Sequence, residues 1–293
     1  MTNFYQKKHE LWLSIIFASF AIHDEVIKSR LYDFSQIAFR HMKWIGSELL
    51  ANEDEYNYDR DMKLIKRESV FEILYALVTE IKNIEAFYPD SILGERIKTD
   101  DNYLLEYLSE VLSENSNDKA ITAFNKQRIW SNSDLAQDQI DALTMFLFEE
   151  SYKEYELILV YSYMQARTKN ALHFNVFQDL IDESHFHLKS FGNMMAKLGI
   201  LSLPRELHPM TYVVKDLRKF VHDGIAEEKA AKEMCTTLSK AIKDEKLSKF
   251  FDFINYQESY HIELMKKLLN TKSTDETALT NLSYDEFWEG VEL

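Results

Sequence analysis

Apolar residues recur every three or four positions along most of the chain, the spacing that gathers them on one side of a helix. In the first half this spacing predicts helices at 6–29, 32–51, 65–88 and 101–115. The polar stretch Ser113–Lys119 (SENSNDK) then interrupts it and marks the expected domain boundary. The run Ser131, Asn132, Ser133, Asp134 supplies capping side chains for a new helix start. Four more helices are predicted at 135–167, 171–199, 211–243 and 245–270. Gly199–Pro209, which contains Pro204 and Pro209, cannot continue a helix and is expected to be a long crossover between the second and third of these. The junctions at 167–170 and near Asp244 are short, so each flanking pair is expected to be an antiparallel hairpin. The expected organisation is a helical scaffold over 1–116, a connector over 117–134, a four-helix bundle over 135–270 with the first bundle packed on it, and an acidic tail over 271–293.

Composition strengthens the all-α expectation, because 6 Gly and 3 Pro in 293 residues leave little material for turns. The formal net charge of −15 disfavours nucleic acid and anionic membranes as partners, since either demands a basic face. The apolar stretch Leu11–Ile22 is broken by Ser14 and Ser19, is too short to span a bilayer and has no cleavage site after it, so it reads as a buried helix of a cytoplasmic protein. Cys235, the single cysteine, has no disulfide partner and no second thiol for a zinc pair, which fits a reducing compartment and a small core residue.

Charges inside apolar stripes carry the candidate chemistry. In the last predicted helix Glu258 and His261 share a stripe with Phe250, Ile254, Met265 and Leu268. In the helix before it Glu228 is the only charge on a face that includes Val221, Ala231, Cys235 and Leu238. Glu154 interrupts the stripe Leu143, Leu147, Leu157, Tyr161, and Glu183 with His187 interrupts the stripe Val176, Leu180, Phe191. Burying such groups unpaired costs several kcal/mol, on the order of 2–7 for a polar group and more for a charge. In an antiparallel hairpin turning near Asp244, Glu228 faces the Glu258–His261 span. An offset of 74 residues carries Glu154 onto Glu228 and His187 onto His261, and an offset of 75 carries Glu183 onto Glu258, so a two-fold pseudosymmetric site is expected.

One Glu from each of two helices, with a Glu and a His one turn apart on each of the other two, resembles the ligand set of the ferritin-like di-iron and di-manganese carboxylate proteins. The segment EEKAAKEMCTTLSKAIKDEKLSKFFDFINYQESYHIELM is similar to the second helix pair of a rubrerythrin, with Glu258 and His261 on its ExxH motif and no rubredoxin domain. The resemblance spans about Gln137 to Leu269. It implies a ferritin-like bundle holding two iron ions, with manganese or a mixed Fe/Mn pair as alternatives, through Glu154, Glu183, His187, Glu228, Glu258 and His261. Glu183 and His187 lie four apart rather than three; a one-residue π-bulge would reconcile them with the family, and Asp182 with His185 is the competing DxxH ligand pair. Four carboxylates offset most of the charge of two divalent ions, and hard oxygen with imidazole nitrogen suits Fe or Mn.

The resemblance implies an oxidoreductase that reduces dioxygen or peroxide while oxidising a small organic substrate or a reductant. The alternative is an iron-binding or oxygen-sensing protein without turnover. A ferritin cage is disfavoured by the extra N-terminal half, and transfer-RNA hydroxylation by the acidity. Tyr161 is expected just behind the ligands. The halves read as possible copies, since His41, Lys43 and Gly46 in HMKWIGSEL match His187, Lys189 and Gly192 in HLKSFGNMM. In the first half His23, Asp24, Glu25, His41, Glu48 and Glu80 form no matched set, so that half reads as scaffold. The protein is a possible homodimer. The tail, whose anchors are Phe287, Trp288, Val291 and Leu293, either docks a protein partner, somewhat as in ribonucleotide reductase small subunits, or folds back on the chain.

Overall fold

The computed structural model describes residues 1–61, 67–114, 121, 135–201 and 205–270. The capping run 131–134, Pro204, most of the connector 117–134 and the tail 271–293 lie outside the described residues. Among the described residues the chain is all-helical, with α1 Thr2–Ala21, α2 Glu25–Ala51, α3 Val70–Ile84, α4 Ile92–Ser113, α5 Gln137–Gln165, α6 Ala171–Lys197, α7 Pro209–Tyr212, α8 Leu217–Ala241 and α9 Glu245–Asn270. A single 3-10 turn, Glu85–Phe87, follows α3. None of the described helices is long and apolar enough to cross a membrane.

Caps explain where the predicted boundaries move. The first break falls at Ile22–Asp24 rather than at residues 30–31, because the Asp24 carboxylate accepts from Val26 N at 3.0 Å and Ile27 N at 3.1 Å and starts α2 there. The helix expected over 211–243 is two: α7 begins on Pro209, and α8 begins only after Asp216 has capped Lys219 N at 2.9 Å. α9 starts as predicted, with Asp244 accepting from Lys246 N and Leu247 N at 3.0 Å each. Gly199 follows α6 at φ 74°, the left-handed position at which a helix commonly ends and glycine alone is unstrained. In the first turn of α4, a Cβ on Gly94 would lie 2.0 Å from Pro89 O, so only glycine lets the chain entering the helix pass so close.

The described residues divide into two compact units, one within 1–121 and 196–207, the other within 135–195 and 208–270. The first contains α1 to α4, with α1 against α2 and α3, and α4 against α2 and α3. Its interior holds Leu11, Trp12, Ile16, Leu31, Ile45, Leu74 and Leu108. Among these apolar groups lies a polar knot. Lys8 Nζ donates to both oxygens of Asp101 at 2.7 Å, Tyr88 Oη donates to Asp101 Oδ2 at 2.6 Å, and His41 Nε2 pairs with Asp100 Oδ2 at 3.0 Å.

In the second unit the side-chain pairings set the direction of each helix. Gln165 of α5 meets Phe174 and Gln178 of α6 beside their turn, and Glu154 meets His187 further along, so α5 and α6 are antiparallel. α8 and α9 pair in the same nested way, from Ser239 with Ser248 to Lys232 with Ser259 to Arg218 with the Leu269 carbonyl. α5 and α8 are also antiparallel, since Gln139 meets Ala241 and Lys153 meets Glu227. So are α6 and α9, through Phe191 with Phe250, His187 with Gln257 and Glu183 with His261. Phe146, Phe191 and Phe251 pack edge to face in the middle, with ring centroids 5.3–5.7 Å apart where Phe146 meets the other two.

Candidate metal centre

Each of the four long helices of the second unit sends one or more titratable groups inward at the same level. Glu154 of α5, His187 of α6, Glu228 of α8, and Glu258 with His261 of α9 are all buried. Helical spacing accounts for it: each sits where its stripe of apolar side chains passes the interior, so burying the stripe buries the charge. Among the described residues these five make the two clusters with ligand atoms close enough to share a cation, Glu154–His187–Glu258 and Glu228–Glu258–His261. Glu258 belongs to both.

The imidazoles face inward through Nδ1. His187 Nδ1 is 2.9 Å from Glu154 Oε1 and 3.7 Å from Glu258 Oε1. His261 Nδ1 is 3.1 Å from Glu258 Oε2 and 3.9 Å from Glu228 Oε2. On the far side of each ring the other nitrogen has its own neighbour: His187 Nε2 pairs with Gln257 Oε1 at 3.1 Å, and His261 Nε2 is in ion-pair contact with the Glu183 carboxylate without hydrogen-bond angles.

Glu183 is therefore outside both clusters, on the outer edge of His261, and is only half-buried. α6 runs as unbroken α-helix from Ala171 to Lys197, so the π-bulge that would have brought Glu183 inward is not present. Of the competing pair, Asp182 is exposed and accepts from Gln178 Nε2 at 2.8 Å, while His185 is buried but joins neither cluster. Tyr161 is fully buried, its hydroxyl makes no hydrogen bond, and its ring stands against Phe177 and Phe220. Burial, then the charges of Glu228, Glu154 and Glu258, push that phenol well above its ordinary range, so it stays protonated.

Electrostatics in the metal-free chain follow from crowding. Burial, then the hydrogen bond with Glu228, raises Glu258 to about 8. Burial would raise Glu228 too, but its hydrogen bonds with Glu258 and His261 outweigh that and hold it near 2, so this pair keeps one proton between them at neutral pH. Burial opposes charge on both imidazoles; Glu154 and Glu258 nevertheless hold His187 at about 9, and Glu183, Glu228 and Glu258 hold His261 at about 12. Burial, and then Glu258, pushes the thiol of Cys235 up, so it is a neutral core group.

Apolar periodicity alone does not single out three residues at the site. Gln257 and Ser184 are uncharged, and Glu150, buried one turn before Glu154, is raised to about 7 by burial against the pull of Lys153. Extending the uniform 74-residue offset finds the first two, because it pairs Glu183 with Gln257 and Ser184 with Glu258.

A cation fits the donor set. Glu154 Oε2 is buried and has no hydrogen-bond partner, which leaves one carboxylate oxygen of the cluster free to meet a cation. Among the described residues no lysine or arginine nitrogen pairs with Glu154, Glu228 or Glu258; Lys153, the neighbouring ammonium, pairs with Glu227 at 3.7 Å. Carboxylate oxygen with imidazole nitrogen is the donor mix of iron and manganese sites rather than of thiolate zinc sites. Comparison of the chain with protein-family models, with curated proteins and with solved structures finds no match.

Proposed function

We propose that α5, α6, α8 and α9 form a ferritin-like antiparallel bundle that binds two iron ions, with manganese as the alternative metal, and acts as an oxidoreductase toward dioxygen or peroxide. The observation that carries the reading is the pair of buried triads sharing Glu258, one of them with an unpartnered carboxylate oxygen. In a ferritin-like bundle neighbouring helices are antiparallel and a long connection joins the second helix to the third, which agrees with the four antiparallel pairings and with the stretch between α6 and α8.

Glu154 and His187 would hold one ion, Glu228 and His261 the other, and Glu258 would lie between them. Once bound, a pair of such ions supplies electrons and open coordination positions to an oxygen species. The chain's own groups prepare the place. Phe191 stands against the His187 ring and packs with Phe146, which in turn packs on Phe251, so that side of the cluster is apolar; the Tyr161 ring packs against Phe177 and Phe220. The proton shared by Glu228 and Glu258, and those on the two imidazoles, leave as cations enter, so uptake releases protons and strengthens as pH rises. Tyr161 Oη is a buried neutral donor without a partner, and Glu228, Glu154 and Glu258 are the charges that act on it.

The test is anaerobic loading with ferrous iron, elemental analysis, and rapid mixing with dioxygen or peroxide. Two irons per chain and a transient absorbance change are expected. No uptake removes the metal reading. Uptake with no spectral change on mixing removes the oxidoreductase reading and leaves an iron-binding protein.

A further inference from the structure

The offset of 74 residues that relates the two helix pairs preserves two correspondences and breaks two. Glu154 with Glu228 and His187 with His261 are preserved, whereas Glu183 falls on Gln257 and Ser184 on Glu258. Both differences sit where a cation would feel them. Glu258 stands in both triads, while Ser184 is buried with a hydroxyl that makes no hydrogen bond, so α9 supplies the shared carboxylate and α6 supplies none. On the outer edges the exchange is reciprocal: Glu183 of α6 backs His261 of α9, and Gln257 of α9 backs His187 of α6.

An imidazole that gives its lone pair to a cation gains positive charge, and whatever accepts its outer N–H responds to that charge. A carboxylate stabilises it more than a neutral amide does, which makes the ring the stronger ligand. We propose that the two triads are unequal positions, in which Glu228–Glu258–His261, backed by Glu183, fills first and holds its ion more tightly, and Glu154–His187–Glu258, backed by Gln257, fills second. Glu183 and Gln257 are positioning residues, acting through the rings they back. Lys153 also acts on Glu228, but it is paired with Glu227 and has Glu150 beside it, so its charge is largely offset. A chain built this way keeps one ion when metal is scarce and exchanges the other, and it can carry two different metals in a defined order.

The inference rests on the metal-binding reading of the cluster, and the experiment separates the two. The full chain is titrated with Co²⁺ by calorimetry, and crystals grown with one equivalent of Co²⁺ are measured at the cobalt edge. Wild type should show two unequal steps, with the first anomalous peak between Glu228 and His261. Glu183→Gln should weaken the tighter step by about 10–100-fold, the usual effect of losing an outer partner, and bring the two steps together. Gln257→Glu should tighten the weaker step. The double exchange should restore two unequal steps with the first peak moved to Glu154 and His187, a rescue that no merely structural role for Glu183 would produce. Equal steps in wild type, an unchanged Glu183→Gln isotherm or a first peak at His187 overturns the inference while leaving a metal protein. No cobalt uptake at all overturns both.

Discussion

Lys8, fully buried in the first unit, places its ammonium 2.7 Å from both oxygens of Asp101, and His41 stands beside them between Asp100 and Asp101. In the second unit Glu154, Glu228 and Glu258 are just as buried around His187 and His261, and no ammonium pairs with them among the described residues. The 146 residues that separate His41 from His187 also separate Lys8 from Glu154, so a cation stands in one half where the other has an anion. The protonation of the histidines follows suit. Burial and Lys8 push His41 down to about 4, whereas surrounding carboxylates overcome burial and hold His187 at about 9. A helical interior that buries carboxylates must neutralise them. The first unit does so with its own lysine; the metal-free second unit does so with protons, held on His187, His261 and the Glu228–Glu258 pair, which a cation could displace.

The contrast breaks most severely at Glu258, the residue both triads share. Glu258→Ala should take the metal content from two ions per chain to below one by elemental analysis, with far-ultraviolet circular dichroism unchanged. Glu228→Ala and His261→Ala should each lose at least one ion. Two ions retained in any of the three would mean the ligands are elsewhere.

The same operation on the first unit should act on stability instead. Lys8→Met leaves Asp101 buried without its cation, and breaking such a pair costs about 3–5 kcal/mol. Denaturant midpoints should fall accordingly while metal content stays at the wild-type value. A variant that loses metal along with stability would contradict the division of labour between the two clusters.

Acidity tests the second unit alone. His187 in the folded, metal-free chain titrates at about 9 against 6.5 when unfolded, so its contribution is complete below pH 6.5 and is lost as pH rises through 9; that of His261 is lost higher still. Glu258, raised from 4.5 to about 8 chiefly by burial, binds its proton more tightly when folded and loses that advantage over the same rise. The melting midpoint of metal-free protein should therefore fall between pH 6.5 and 9. Loading with metal displaces these protons and should abolish the fall. A metal-free midpoint that climbs through this interval would show that the carboxylates do not govern the cluster.

The smallest effect is expected at Asp182. Its exposed bond with Gln178 is a surface pair one helical turn apart, worth about 0.2–0.5 kcal/mol. Asp182→Ala should leave metal content and the calorimetric isotherm of wild type intact. A lost ion would restore Asp182 as a ligand.

The helical class and the five inward groups were legible because both depend on local periodicity. Scarce glycine and proline point to helices, and carboxylates and histidines standing inside apolar stripes point to buried charge. The first helix boundary was less legible. α1 buries residues around most of its circumference, including Lys8, His9 and Glu10, so its pattern has no clear polar side to end on and the Asp24 cap sets the break. The pairing of Lys8 with Asp101 is not legible in the chain, since 93 residues separate them and neither stands out alone.

Glu183 shows where sequence reasoning stops. Its place on an apolar stripe and its turn-distance from His187 suit a ligand, and the chain alone does not distinguish a carboxylate pointing at a cation from one pointing at the back of a neighbouring imidazole. That distinction depends on the register between α6 and α9, which brings Glu183 to His261 and Gln257 to His187. Spacing along one helix decides which residues are buried, because 3.6 residues per turn is a property of the segment itself. Which nitrogen of a ring meets which oxygen is decided only when side chains from separate helices interlock, and packing between those helices sets that geometry.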